Sequence, residues 1–124
     1  MKREKRLADH VRDMLAAAKQ TLQYTAGMDR AGFLADVRTQ QAVFFNVVML
    51  GEAAARVMDR HAAFALAHPQ VPWRAVRNQV AHGYASIDTD LVWDTVTQSL
   101  PDLLAALPAV IAEADALAGH DTLP

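Results

Sequence analysis

The chain has 124 residues, no cysteine and an apolar fraction of 52%, enough for one domain with a core but not for two; disulfide frameworks and thiolate chemistry are excluded and a reducing compartment is permitted. Ala and Leu are abundant and β-branched residues come only in short runs, so all-α is the expected class. The net charge of −2 conceals a partition: all 12 Lys and Arg lie at or before Arg77, leaving that segment at +5, while the 47 residues after it carry 7 acids and no Lys or Arg, which predicts one phosphate-facing and one acidic surface unless the charges are merely solvated helix faces.

The chain opens with Lys2, Arg3, Lys5 and Arg6, but Asp9, His10, Arg12 and Asp13 follow, so no apolar export segment is expected there. No uninterrupted apolar stretch is long enough to cross a bilayer, and the expectation is a cytoplasmic protein with no membrane partner. From Arg3 to Thr25, Leu7, Val11, Met14, Leu15, Ala18 and Leu22 recur at steps of three and four, the stripe of a first helix that Gly27 ends. Asp29 caps a short second helix through Phe33 and Leu34. A long third helix is expected from about Thr39 to Arg60. Its centre, Val43 to Leu50, is apolar almost all round, which in so small a chain points to cover from a second subunit.

The connector His68-Pro69-Gln70-Val71-Pro72 breaks any helix. A fourth helix then runs from Trp73 to about Tyr84, and Ser86 or Asp88 caps a fifth through Val92, Trp93, Val96 and Leu100. Pro101 and Pro108 should kink or divide the apolar pattern that continues to Leu117; Gly119 closes the last helix. The expected architecture is a compact bundle of about five helices in one domain, residues 1–119, with a short tail, 120–124.

The densest polar constellation is Arg77-Asn78-Gln79-Val80-Ala81-His82-Gly83-Tyr84. On a regular helix Arg77 and His82 are about 140° apart, so one copy does not focus both on one atom, whereas two copies at a two-fold axis share a groove. These residue types suit metal-independent cleavage of an RNA phosphodiester. A histidine with its pKa near 6.5 exchanges protons with the ribose 2′-OH or the leaving 5′-oxygen, and an arginine fork holds the phosphate charge. The alternative is a surface ion pair and a helix-terminal histidine.

Arg77-Asn78-Gln79-Val80-Ala81-His82 resembles the signature of the HEPN superfamily, extended by Tyr84 to its Arg-x4-His-x-Tyr form. Leu50-Gly51-Glu52-Ala53, Pro72-Trp73-Arg74, His82-Gly83-Tyr84, Ile87-Asp88 and Val92-Trp93 resemble HepT-like ribonuclease toxins in order and spacing, from about Leu7 to Leu107. The resemblance implies an α-helical homodimer with its active cleft at the subunit interface. It also implies an endoribonuclease toxin of a type VII (HEPN–MNT) toxin-antitoxin pair, cutting tRNA or mRNA without a metal or other cofactor. The implied partner is an MNT-type nucleotidyltransferase antitoxin that AMPylates the motif tyrosine, here Tyr84. Arg77 and His82 would be catalytic and Asn78 supporting. The other reading is a non-catalytic HEPN scaffold that binds a nucleotidyltransferase or a nucleotide. Between Pro72-Trp73 and Arg77 lie only three residues, about a helical turn fewer than in the proteins it resembles, which displaces Arg77 relative to Trp73.

The remaining polar and aromatic residues read as structural. Glu52, in an apolar helix, is either exposed or buried with a partner, since an unpaired buried carboxylate costs several kcal/mol. Trp73 and Trp93 match core positions rather than base-stacking platforms. His10, His61, His68 and His120 lack metal-ligand spacing. The basic residues of the first helix either steer RNA or form an ordinary solvated face.

Overall fold

The computed structural model describes residues 5–83 and 88–121, with side chains for all of these except 79–83 and 119–121. Among them there are helices and no strand: α1 (Leu7–Thr25), α2 (Arg30–Leu34), α3 (Val37–Arg60), α4 (Ala62–Ala67), α5 (Trp73–Gly83), α6 (Thr89–Asp94), a π-helical turn (Thr95–Ser99) and α7 (Leu100–Asp121).

Three long helices carry the core, each through buried residues alternating at three and four. On α1 they are Val11, Met14, Ala18 and Thr21; on α3, Val43, Val47, Leu50, Ala54 and Val57; on α7, Leu100, Leu103, Leu107, Val110 and Ala114. That spacing keeps one face of a helix turned to its neighbours, and burial of each large aliphatic side chain contributes about 1.5–3 kcal/mol. α1 packs along both α3 and α7. Arg12, near the start of α1, reaches Asp115, near the end of α7, at 2.6 Å, so the two run antiparallel. Buried Thr21 and Thr25 donate to the carbonyls of Ala17 and Thr21, at 2.8 and 2.9 Å, which satisfies hydroxyls that burial would otherwise penalise. His10 Nε2 and Asn46 Nδ2 are buried with no hydrogen-bond partner.

Three of the helix starts, those of α2, α3 and α6, follow from side-chain caps. Asp29 accepts from Gly32 N at 2.8 Å and Asp36 from Thr39 N at 3.0 Å, so α3 begins two residues before Thr39. The choice between Ser86 and Asp88 falls to Asp88, which accepts from Leu91 N at 3.1 Å; Ser86 lies outside the described residues.

Several expectations are corrected. α4 is a short helix that the sequence reading did not place: its Phe64 is buried and stacks on His68 with centroids 4.1 Å apart. Pro108 does not divide α7, which continues through it. The break expected near Pro101 takes the form of the π turn just before it, with Leu100 N donating to Thr95 O; the wider loop gives room where the proline ring would crowd the preceding turn. Gly119 does not close the last helix, which runs on to Asp121. Averaged over its most apolar 18 residues, α3 reaches a mean hydropathy of 1.2 and meets the length and composition of a membrane span, although the sequence shows no uninterrupted apolar run; half of that stretch is packed inside the bundle.

The charge partition is also spent differently from expectation. Basic residues of the first part pair with acids of the second: Arg12 with Asp115, and Arg30 with both Asp90 and Asp94 at 2.7 Å. These pairs tie α1 to α7 and α2 to α6, so the two signs are interleaved there rather than segregated on opposite surfaces. Lys5 pairs with Asp13 at 2.7 Å, which makes the start of α1 partly self-neutralised.

Candidate active site

α5 starts immediately after Pro72, where the missing N–H costs no helical hydrogen bond. Val71, Trp73 and Val76 are buried and seat the helix against α3. Trp73 Nε1 donates to the carbonyl of His68 at 3.0 Å, and His68 Nδ1 lies 2.9 Å from the carbonyl of Phe64. The connector is thereby pinned at both ends, and His68 is engaged in structure. Among the described residues no three His, Asp or Glu side chains group as metal ligands.

With Trp73 and Val76 turned inward, Arg74, Arg77 and Asn78 fall on the exposed face of α5. The Arg77 side chain is 49% exposed, and its Nη1 lies 3.8 Å from Asp59 Oδ1 on α3, a carboxylate that is itself 65% exposed. At that length the contact is coulombic rather than a hydrogen bond, so the guanidinium fork has donors free for an anion. Arg74, one turn earlier, makes no ion pair among the described residues. A small cleft of about 60 Å³ between α3, α5 and the start of α7, lined by Leu50, Val76, Ser99 and Leu103 among others, does not include Arg77.

Of the sequence-predicted site, the structure places Arg77 and Asn78 on this outer face and the backbone of His82 on the same helix, near its end. The His82 side chain and all of Tyr84 lie outside the described residues. Glu52 is exposed, which decides between the two readings open for it. Trp73 and Trp93 are buried, and Trp93 lies against Phe33 with centroids 5.2 Å apart. Asp59 is the participant that sequence reasoning missed. Its only signal is its place on α3, and no spacing rule relates it to Arg77.

A family profile described as Ribonuclease HepT-like matches residues 14–110. The chain is 30% identical over 98 residues to "Probable ribonuclease HepT" of Thermococcus cleftensis, covering 77% of this chain and 86% of that protein. It is 29% identical over 102 residues to a protein of Methanocaldococcus jannaschii named provisionally as an RNase, covering 80% and 82%. A second such protein of the same organism is 28% identical over 94 residues, covering 73% and 84%. No solved structure matches. The matched span runs from Met14 to Val110 and holds most of the buried core of the three long helices together with the Arg77 face, and on this ground the chain belongs to the HepT-like ribonuclease family.

Proposed function

We propose that this chain is a metal-independent endoribonuclease, active as a homodimer, and the toxin of a HEPN–MNT pair. The observation that carries the reading is Arg77: an exposed guanidinium with unused donors, on the same helix as His82, in a HepT-like ribonuclease chain. A phosphate of RNA would replace the loose contact to Asp59 with charge-assisted hydrogen bonds to the arginine fork.

In the reaction, one His82 takes the proton of a ribose 2′-OH. The 2′-oxygen then bonds to the adjacent phosphorus, the bond from phosphorus to the 5′-oxygen breaks, and a second imidazole returns a proton to that oxygen. The products are a 2′,3′-cyclic phosphate and a free 5′-hydroxyl. Arg77 stabilises the charge on the non-bridging oxygens, where it is largest in the transition state. Because Arg77 and His82 diverge around one helix, the two imidazoles would come from two subunits whose motif helices face each other. Asn78 would orient His82 or the substrate.

Silencing would come from a nucleotidyltransferase antitoxin that joins the Tyr84 oxygen to the α-phosphorus of ATP, releasing pyrophosphate and a proton. The added anion beside Arg77 would compete with RNA for the same cation. Both partners would act in the cytoplasm.

The test is expression of wild type and His82→Ala without a partner, with tRNA and mRNA read for new ends. The wild type should arrest growth and create ends carrying cyclic phosphates, and His82→Ala should do neither while keeping its circular-dichroism melt. Cleavage by His82→Ala equal to wild type would overturn the assignment; a harmless wild type would favour the scaffold reading.

A further inference from the structure

α3 has two faces, and the bundle uses one of them. Opposite the buried Val43, Leu50 and Val57 runs an outward stripe of Arg38, Gln41, Phe45, Met49, Glu52 and Arg56, all exposed and all within about 40° of Phe45 around the axis at 100° per residue. Phe45 is 63% exposed and Met49 38%. An exposed phenylalanine at the centre of a long helix, beside a methionine, is the composition of an interface core rather than of a solvated face.

We infer that a second copy of this chain covers that stripe, with α3 crossing its symmetry mate antiparallel on a two-fold axis at Phe45. The charges select this arrangement. Arg38 and Glu52 sit seven residues on either side of Phe45, about 10 Å each way along the helix. Neither makes an ion pair among the described residues. A two-fold at Phe45 exchanges them: each Arg38 meets the partner's Glu52, Phe45 meets the partner's Phe45, and Gln41 meets the partner's Met49. One contact made twice is what an isologous interface requires. A parallel pairing would instead set Arg38 against the partner's Arg38 and Glu52 against the partner's Glu52, and like-charge juxtaposition selects against it.

This contact differs from the pairing of motif helices in the proposed ribonuclease. Asp59, which marks the position of Arg77 beside α3, is fourteen residues and about 21 Å from Phe45 along the helix. A two-fold at Phe45 therefore keeps the two Arg77 sites apart, and the two contacts together build an assembly of four chains.

Light-scattering mass and RNA cleavage on the same full-length samples test the inference. Phe45→Glu should halve the mass of the wild type while the chain stays helical and melts cooperatively, since the side chain is exposed in the single chain and only the stabilisation that association adds is lost. Arg38→Glu and Glu52→Arg should each weaken the same association by about fivefold or more, and Arg38→Glu/Glu52→Arg should restore it, because the swap recreates the pair. An unchanged mass in Phe45→Glu, or a double variant no tighter than the singles, overturns the inference. Failure of the ribonuclease reading looks different: no cleavage by any sample while the mass still halves.

Discussion

The inner face of α3 and the outer face of α5 are built on opposite principles. On α3, Val43, Leu50, Ala54 and Val57 are at most 1% exposed, and the helix packs against α1 and α5. On α5, Arg77 projects into solvent with one carboxylate at 3.8 Å. The first face is specified by what it excludes, since each position tolerates only an apolar side chain of nearly the right volume. The second is specified by the chemistry its side chains offer, and a loose hold on Arg77 leaves its donors available. On the proposed ribonuclease reading, stability and function reside in different residues, and variants should separate them.

The largest effect is expected at Phe33, fully buried and packed against Trp93. Phe33→Ala should cost about 3–5 kcal/mol in denaturant unfolding. RNA cleavage per folded molecule should stay near wild type. A melt unchanged by that substitution would break the comparison at its stable end.

His10 sharpens the same comparison through pH. It is buried at 3% exposure on α1, and burial chiefly pushes its imidazole below the usual 6.5, with Lys5, Arg56 and His61 acting in the same direction and Asp13 against it. The unfolded chain takes up this proton near pH 6.5 while the folded chain still resists it. The contribution of neutral His10 is thus complete above that pH and is lost as pH falls toward the lowered folded value. His10→Gln should flatten the acid limb of a stability-against-pH curve between those two values, and a limb of unchanged slope would show that other groups set it.

What was legible in the sequence follows this division. The stripes Leu7, Val11, Met14, Ala18 and Leu22 on α1 and Leu103, Leu107 and Val110 on α7 could be read because helical periodicity reports burial directly. α4 escaped because six residues with one buried apolar anchor, Phe64, make too short a window for periodicity. Pro108 does not divide α7 because a proline rule describes local cost, whereas the surrounding helix is held by Leu103, Leu107 and Val110 on both sides of it. At the candidate site, residue types together with the family resemblance singled out Arg77, Asn78, His82 and Tyr84 as candidates, but the pairing of Arg77 with Asp59 spans eighteen residues and a connector, and only the packing of α5 on α3 brings them together.

Asp59 supplies the smallest and most discriminating change. Its carboxylate and an RNA phosphate would compete for the same guanidinium, and at 65% and 49% exposure the existing pair contributes only what exposed pairs do, about 0.2–1 kcal/mol. Asp59→Asn removes the competitor at nearly constant shape and leaves the chemistry of His82 alone. KM for RNA should then fall by about 1.4- to fivefold, the same free energy expressed as affinity, with kcat unchanged and the gain shrinking as salt screens the phosphate. A carboxylate that instead positions Arg77 for catalysis would give the opposite result, a lower kcat with KM unchanged, and the outer face of α5 would then be as tightly specified as the inner face of α3.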